Sequence, residues 1–295
     1  MWRLSNGKSF RCGGAMKAVW STANSPSRIN HGLKIVQPLR RVVACRHCMV
    51  REVCLPHGLE LEALERLEGM ILRPAHLKPG DHLYRPADKL RALYAVKSGS
   101  VKVYTPMADG DEQIVGFHLP GELIGLDGLG TDTHTCAAAA LETTAICELP
   151  VAALYEMCHT HPAIRSQLNR LMGSQLAHVR EMLLLVGRKS AEGRLAGFLL
   201  NLSGRLKARG LSPNQFYLSM SRLDIANYLG LAVETVSRVF SRFQEEGLLT
   251  VQVRHVCIHE LDRLRTLAST GLIGPLRPRH RYGIMAFTAG AAMRS

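Results

Sequence analysis

Three hydrophobic patterns follow one another along the chain. Between residues 59 and 71, apolar side chains recur every three or four positions with Glu between them, which predicts a short amphipathic helix. From about residue 80 to residue 150 the pattern changes to short apolar runs, such as 101–104 and 113–117, separated by Gly or Pro. Short strands with this punctuation favour a β-sandwich or barrel over alternating strand–helix units.

A helical period returns between about residues 162 and 187. Apolar residues there alternate steps of four and three, so two heptad positions repeat on one face. A helix packed on its own domain can show the same stripe. We expect a dimerisation helix instead, because an elongated helix between two domains has little else to cover the stripe. The predicted seam consists of Met172, Leu176, Val179, Leu183 and Val186.

The segment 221–243 predicts two helices joined by a turn around Gly230, the second starting at about Val233. Strand-like runs at 248–253 and 256–259 follow and predict a hairpin wing. This order is typical of a winged helix-turn-helix, in which the second helix enters the major groove of DNA. The apolar residues expected to hold the two helices together are Leu223, Ile225, Ala226, Leu229, Leu231, Val236, Val239 and Phe240.

Several side chains of this segment are candidates for contacts with DNA. Arg238 could donate two hydrogen bonds to guanine, and Glu234 could accept one from cytosine. Arg222 and Arg242 suit phosphate contacts, which add affinity more than specificity. The alternative is an ordinary solvated helix face. The outward-facing candidates on the second helix are Val233, Glu234, Thr235, Ser237, Arg238, Ser241 and Arg242.

The net charge of +13 lies mainly at the two ends of the chain. Residues 1–51 carry ten Lys or Arg and no acidic residue, and residues 271–295 carry four Arg and no acidic residue. We expect both ends to be disordered extensions, although a basic N-terminal arm could touch DNA phosphates. Within the body, residues 190–270 lean basic with ten cations against seven acids, which suits a nucleic-acid-binding module.

Three of the eight cysteines, Cys45, Cys48 and Cys54, have the spacing C-x2-C-x5-C. No apolar run is long enough to span a membrane and no signal-peptide pattern begins the chain, so we expect a cytoplasmic protein. A reducing compartment favours a metal or redox site over disulfides. The three thiolates need a fourth ligand. Zinc, completed by a fourth thiolate or by His47 or His57, fits the spacing as well as an iron–sulfur cluster does.

Four stretches together resemble the Crp/Fnr superfamily of bacterial transcription regulators, and specifically the FNR type that senses oxygen through an iron–sulfur cluster. They are CRHCMVREVCLP, DGDEQIVGFHLPGELIG, ALETTAICELP and NYLGLAVETVSR. The resemblance covers residues 45 to about 270. It implies an α+β fold with a β-roll sensor domain, a long dimerisation helix and a C-terminal winged helix-turn-helix. The β-roll is a double-stranded β-helix or jelly roll like that of cyclic-nucleotide-binding proteins.

We therefore expect six segments along the chain. The first is the basic extension, and the cysteine-rich segment, the β-roll, the dimerisation helix, the DNA-binding domain and the basic tail follow. Their expected bounds are residues 1–40, 41–58, 59–161, 162–188, 189–270 and 271–295.

The resemblance implies that Cys45, Cys48, Cys54 and Cys147 hold a [4Fe-4S] cluster. It also implies that oxygen destroys the cluster, so that the cysteine loop rearranges and the homodimer dissociates. The expected DNA site is an inverted repeat resembling TTGAT-N4-ATCAA, and RNA polymerase is the expected partner in regulation. Structural zinc and a response to nitric oxide remain alternatives.

A cyclic-nucleotide sensor is the rival within the same fold. A buried phosphate needs a cation, usually Arg, yet no Lys or Arg occurs between Lys102 and Arg165. We therefore expect no cyclic nucleotide. We also expect no enzymatic activity, because no motif with a nucleophile and a base appears beyond the cysteine cluster.

Three residues depart from the family pattern. Val179 lies in the seam where some relatives have a charged residue that discourages dimerisation without the cluster, so we expect dimerisation here to depend less tightly on the cluster. Ala87 stands where Gly is common, so we expect strain in that turn. Ala232 stands where a Ser or Thr usually caps the second helix, and losing such a cap costs about 1 kcal/mol.

Overall fold

A computed structural model describes residues 45–270, without the side chains of residues 72–75 and 270. The expectations for residues 1–40 and 271–295 lie outside the described residues. The described chain begins with two 3-10 turns, Cys45–His47 and Arg51–Val53, which carry the cysteine-rich segment. Helix α1, Leu61–Met70, follows and buries Leu64 and Leu67, as its amphipathic pattern predicts.

Eight strands then form two antiparallel four-stranded sheets. The first sheet has the order β1-β8-β3-β6, and the second has the order β2-β7-β4-β5. This arrangement confirms the predicted β-roll. The strands are β1 (Leu72–Leu77), β2 (His82–Tyr84), β3 (Ala92–Ser98), β4 (Val101–Pro106), β5 (Glu112–His118), β6 (Leu123–Ile124), β7 (Ala137–Ala140) and β8 (Thr144–Pro150).

The turn between β3 and β4 shows why one position of the roll requires Gly. Gly99 has a φ of +81°, a backbone conformation that residues with a side chain rarely adopt. A Cβ at Gly99 would lie 2.4 Å from Thr144 Oγ1. The Thr144 side chain instead accepts a hydrogen bond from the Ser100 backbone N–H, at 3.2 Å, and so ties this turn to β8.

Two helices connect the roll to the C-terminal domain. Helix α2 spans Val151–Thr160, and helix α3 spans Pro162–Arg188 with its proline in the first turn, where no N–H is needed. The first turns of α3 bury Ile164 and Leu168 against the roll. The rest of this 27-residue helix has no fully buried residue, although Met182 and Leu185 pack partly against the core of the C-terminal domain.

The C-terminal domain has the predicted helix-turn-helix followed by a wing. Ser190 and Ser221 cap α4 and α5, and Ser221 forms a capping box with Asp224. Gly230 ends α5 in the left-handed conformation at φ +61°. The elements are α4 (Ala191–Ala208), β9 (Gln215–Tyr217), α5 (Arg222–Leu229), α6 (Val233–Glu245), β10 (Leu249–Gln252), β11 (His255–Ile258) and α7 (Leu261–Thr270).

One prediction for the core of this domain is wrong. Leu223 is 67% exposed, although it was expected to hold α5 against α6. Ile225, Ala226 and Leu229 define the inner face of α5. At 3.6 residues per turn, Arg222 lies on that inner face and Leu223 lies beside it, toward solvent.

The β-roll and the C-terminal domain are joined through the carboxylate of Glu122. Arg205 Nη2 donates to Glu122 Oε2 at 2.5 Å, and Arg209 Nη2 donates to Glu122 Oε1 at 2.6 Å. The same arginines also donate to the backbone carbonyls of Phe117 and Pro120. Arg205 lies in the last turn of α4 and Arg209 is its C-cap residue, so one short turn of the roll is clamped to the end of the first helix of the C-terminal domain.

Packing and further hydrogen bonds extend this junction. Phe117 of β5 contacts the rings of Phe198 and Tyr228, with ring centroids 6.1 Å and 4.9 Å away. Asn227 of α5 accepts a hydrogen bond from the Ile114 N–H at 2.7 Å. The end of the roll and the C-terminal domain therefore share one hydrophobic core.

The clamp predicts a specific dependence of stability on pH. Burial raises the pKa of Glu122, but the charges and hydrogen bonds of Arg205 and Arg209 dominate and hold it at about 2. Because this pKa lies below that of an unfolded Glu, the stabilisation is complete above about pH 4.5 and is lost as the pH falls toward 2. The shift corresponds to about 3 kcal/mol.

We therefore expect Glu122→Gln to lower the free energy of unfolding by about 3 kcal/mol at pH 7 and by much less at pH 3. Urea denaturation of both proteins at several pH values measures the difference. Glu62→Gln is the control, because Glu62 forms only an exposed pair with Arg66. A Glu122→Gln deficit that stayed constant between pH 7 and pH 3 would contradict this account.

Candidate metal centre and nucleic-acid interface

Four of the predicted site residues line one small cavity. Cys45 lies in the first 3-10 turn, and Cys48 and Cys54 directly follow the first and the second turn. Cys147 comes from the middle of β8, where it pairs with Ala95 of β3. The rest of the wall is mainly apolar. It is completed by Val50, Arg51, Leu55, Pro56, Leu67, Ile71, Ala95, Val96, Lys97 and Leu149.

The donor set of this cavity suits a soft metal centre. Four thiols are the usual ligands of both zinc and [4Fe-4S] clusters. The cavity volume is about 20 Å³, which is room for about one water-sized sphere. Among the described residues, no three His, Cys, Asp or Glu side chains already stand close enough together to hold a metal ion. The chemistry of the four donors therefore suits such a centre, whereas their spacing in the described structure does not yet allow coordination.

Burial controls the protonation of these thiols. It raises the pKa of Cys45 to about 12, with a further contribution from neighbouring Cys147. It also raises the pKa of Cys54 to about 12 and raises the pKa of Cys147. These three thiols stay protonated at neutral pH, so binding a metal requires them to release protons.

The cysteine loop is held from two sides. The Arg46 N–H donates to Glu68 Oε1 of α1 at 2.8 Å, and the Arg46 guanidinium donates to Glu68 Oε2 at 3.1 Å. On the other side, Gln167 Nε2 of α3 donates to the Cys54 carbonyl at 3.3 Å. The loop therefore contacts the same long helix whose later turns carry the exposed stripe.

The remaining candidate ligands lie elsewhere. Cys136 lines a different cavity, and Cys158 and Cys257 are buried in α2 and β11. Neither His47 nor His57 lines the four-cysteine cavity. Of the four distant cysteines that the structure describes, it thus groups Cys147 with the three that are close together in the sequence.

The cysteine loop also packs on the turn that carries Glu122. Gly121 in that turn has a φ of +92°. A Cβ at Gly121 would lie 2.6 Å from Val53 Cγ2 and 3.4 Å from the Val50 carbonyl oxygen. One side of the turn touches the cysteine loop, and the other side is bonded to Arg205 and Arg209. This contact was not predicted from the sequence, because the contact depends on the close approach of two segments that are far apart in the chain.

A second cavity, of about 590 Å³, lies between the β-roll, α3 and α4. Within the described chain, no Lys or Arg of the roll lines it, in line with the absence of cations between residues 103 and 164. However, Arg205 and Arg209 at the end of α4 line it and are bonded to Glu122. Both cations were missed because the search for a phosphate-binding cation in the sequence covered only the residues of the roll.

The predicted seam of α3 forms an exposed apolar stripe. Leu176 is 72% exposed and Leu183 is 70% exposed, and Met172 and Val179 are exposed as well. Val186, in contrast, is half-buried and lies close to Gly230 at the end of α5. Four of the five predicted residues therefore form a continuous unpartnered surface in the monomer.

Helix α6 presents a polar face to solvent. Glu234, Ser237, Arg238 and Arg242 are exposed, while Val233 and Thr235 are half-buried. Val236, Val239 and Phe240 are buried on the opposite face. The buried face is the predicted inner one, whereas Val233, predicted for the outer face, packs partly against the core. Its first residue follows Ala232, which makes no side-chain capping hydrogen bond.

The two predicted phosphate-binding arginines differ in their surroundings. Arg242 is exposed and pairs with Glu246 at 2.9 Å and with Glu192 at 3.2 Å. The guanidinium of Arg222 lies 3.4 Å from the centroid of the Phe240 ring. Its Nη1 is buried and makes no hydrogen bond to any described residue, and burial lowers its pKa. Arg222 is therefore less exposed than the sequence pattern suggested.

The predicted strain at Ala87 is confirmed, since its φ is +70°. Its backbone N–H donates to the His134 carbonyl at 2.8 Å, which fixes the turn in this conformation. In the part of the chain that the structure describes, no helix is long and apolar enough to cross a membrane.

Comparisons with known proteins agree with this architecture. Residues 193–267 match the family of the Crp-like helix-turn-helix domain, and residues 74–161 match the cyclic nucleotide-binding domain. The solved structure of FixK2 from Bradyrhizobium japonicum superposes with a TM-score of 0.62 at 31% identity. The superposition covers 67% of this chain and 96% of FixK2.

Curated relatives cover most of the chain. The transcriptional activator protein Anr of Pseudomonas protegens is 46% identical over 227 residues, which are 77% of this chain and 92% of that protein. The fumarate and nitrate reduction regulatory protein of Escherichia coli is 42% identical over 226 residues, or 77% and 90% of the two chains. Both relatives are regulators, which confirms the prediction that this chain is not an enzyme.

Proposed function

Since the chain belongs to the Crp/Fnr family of transcription regulators, we propose that it senses oxygen through a [4Fe-4S] cluster. In this proposal the protein acts in the cytoplasm, and at low oxygen its homodimer binds an inverted repeat in double-stranded DNA. It then activates or represses genes together with RNA polymerase. The observation that carries the proposal is the convergence of Cys45, Cys48, Cys54 and Cys147 on one cavity.

The four cysteines would hold the cluster, which supplies an oxygen-sensitive centre when bound. The protein's own contribution is to release the thiol protons and to bring the four sulfur atoms to coordinating distance, because they are not grouped that closely in the described structure. Apolar residues of β3, β8 and α1 line the rest of the cavity and limit access of water.

Two contacts give the loop a route to the rest of the molecule. Gln167 ties the Cys54 carbonyl to α3, whose stripe is the proposed dimer seam. Val53 packs on Gly121, and the next residue, Glu122, binds α4. A change in the loop can therefore reach both the dimer helix and the DNA-binding domain. A bound centre has to favour the active arrangement by only a few kcal/mol to act as a switch.

The partner of the α3 stripe is a second copy of the chain. The stripe follows heptad positions, so two parallel copies would present the same residues to each other. A large exposed apolar surface is costly in a monomer and marks an interaction site. Dimerisation would also place two α6 helices for two half-sites of an inverted repeat.

The exposed face of α6 supports contact with the major groove. Arg238 and Glu234 project into solvent near its N-terminal half, where base contacts are made in helix-turn-helix proteins. Arg242 lies one turn farther along and suits a phosphate contact. Arg222 would have to leave the Phe240 ring to reach DNA, so its contribution is the smaller of the two.

We expect Cys147→Ser to lose the cluster and Cys136→Ser to keep it, because only Cys147 lines the four-cysteine cavity. The measurement is the content of iron and acid-labile sulfide after anaerobic purification of each variant. The opposite result would refute the ligand assignment. Zinc without sulfide in the unmodified protein would replace the sensor with a structural metal site.

We expect Leu176→Glu to raise the Kd of the dimer by about 100-fold or more, because it removes two buried leucines and opposes two like charges. Analytical ultracentrifugation under anaerobic conditions measures this constant. Leu211→Glu is the matched control, since Leu211 is also exposed but lies outside the stripe. Equal dimerisation of both variants would place the interface elsewhere.

We expect Arg238→Ala to weaken binding to the inverted repeat by about 1–3 kcal/mol and to leave binding to a scrambled duplex nearly unchanged. Arg242→Ala, in contrast, should weaken binding to both duplexes alike, as loss of a phosphate contact does. Fluorescence anisotropy at one fixed salt concentration measures all four affinities. A uniform loss with Arg238→Ala would show that this side chain does not read bases.

A further inference from the structure

The four-cysteine cavity carries positive charge that the ligands themselves do not explain. Two cationic side chains, Arg51 and Lys97, line it together with the cysteines. Arg51 lies in the loop between Cys48 and Cys54, and Lys97 lies on β3, two residues after the partner of Cys147. The cations thus approach the cavity from opposite walls, one from the loop and one from the sheet.

The side chain of Arg51 has an unusual environment in the wall of the four-cysteine cavity. Its Nε is buried and makes no hydrogen bond to any residue that the structure describes. A buried donor without a partner costs about 1–3 kcal/mol, so such a group is retained only where something offsets the cost. A negatively charged centre beside it would supply the missing interaction.

The other charges near the cavity are already matched. The carboxylate of Glu68 binds both the backbone and the guanidinium of Arg46. Glu52 lies 3.1 Å from the ring of His57. Lys97, in contrast, has no carboxylate partner among the described ion pairs, and its charge opposes the rise in pKa that burial causes at Cys147. Arg51 and Lys97 are therefore the two cations of the cavity wall that form no ion pair with any described carboxylate.

A tetrathiolate centre needs this charge. Four thiolates outweigh the positive charge of either a zinc ion or a cluster core, so the bound centre keeps a net negative charge. Taking such an anion out of water is costly unless cations and hydrogen bonds stand close to it. Side chains around the ligands also tune the potential and the affinity of a metal site.

We propose that Arg51 and Lys97 are charge-compensating residues that stabilise the bound tetrathiolate centre and set its reduction potential. The inference rests on the proposed function for the identity of the centre. Neither residue is a ligand. Each acts through its charge, Lys97 from strand β3 and Arg51 from the cysteine loop.

The direction of the effect follows from electrostatics. Removing a cation makes it harder to add an electron to a negatively charged centre and easier to withdraw one. Arg51→Gln and Lys97→Gln should therefore lower the reduction potential and speed the loss of the centre in air. For the double variant we expect about a tenfold shift in the ratio of reduced to oxidised centre, which is about 59 mV for a one-electron couple.

The experiment compares the anaerobically purified full chain with Arg51→Gln, Lys97→Gln, the double variant and two controls. Arg51→Lys keeps the charge and should restore the potential of the unmodified protein. Arg66→Gln removes an exposed cation of α1 that does not line the cavity, and it should change nothing. The readouts are the midpoint potential from a dye-mediated titration and the rate of metal loss to a chelator.

The outcomes separate this inference from the proposed function. Equal potentials and equal metal loss in Arg51→Gln, Lys97→Gln and Arg66→Gln would overturn the inference while leaving the oxygen sensor in place. Zinc in the unmodified protein would overturn the sensor. Chelator-driven zinc loss would then still test the compensating charges, and at least threefold faster loss from the double variant would support them. An unmodified protein that binds no metal overturns both.

Discussion

The carboxylate of Glu122 is the interaction on which the arrangement of the two domains depends. It is a single acidic side chain on a short turn of the β-roll, bonded to two arginines of the first helix of the DNA-binding domain. Burial opposes its ionisation, and the two guanidinium groups reverse that effect. Removing either the carboxylate or the two guanidinium groups would leave buried charge uncompensated, which costs more free energy than the ion pair itself contributes.

The position of this turn gives the clamp its functional meaning. Gly121 has no side chain, so the backbone of the cysteine loop can pack directly on the turn. The four thiols line a cavity beside the same loop, and they have to move closer together to hold a metal centre. A movement of the loop can therefore shift the Glu122 carboxylate, which holds the DNA-binding domain. It can also shift α3 through Gln167. Sensing and reading are linked by direct contacts over a short distance.

Much of this architecture could be predicted from the sequence. The hydrophobic periods located the amphipathic helix, the strands of the roll, the exposed seam of α3 and the two faces of α6, because each depends on local periodicity. The caps at Ser190 and Ser221 and the missing cap at Ala232 followed from residue type. Cys147 joined the three local cysteines through family resemblance, not through spacing.

The rest depends on contacts between distant segments. Leu223 was misplaced because Arg222 lies on the inner side of α5, where its guanidinium lies over the ring of Phe240. The roles of Arg205 and Arg209 were missed because charge was counted within the roll alone, while both cations come from the end of α4. Lys97 looks like one more surface lysine in the sequence. Only the pairing of β3 with β8 places it beside Cys147.

The central claim is that one loop converts the state of a metal centre into DNA binding. Its most direct test records absorption and fluorescence anisotropy on the same anaerobic sample, with a labelled duplex containing the inverted repeat, before and after air is admitted. The account predicts a coloured protein that binds the duplex and then loses its colour and its affinity together. Binding that persists after the absorption has gone, or binding by a colourless protein, would contradict it.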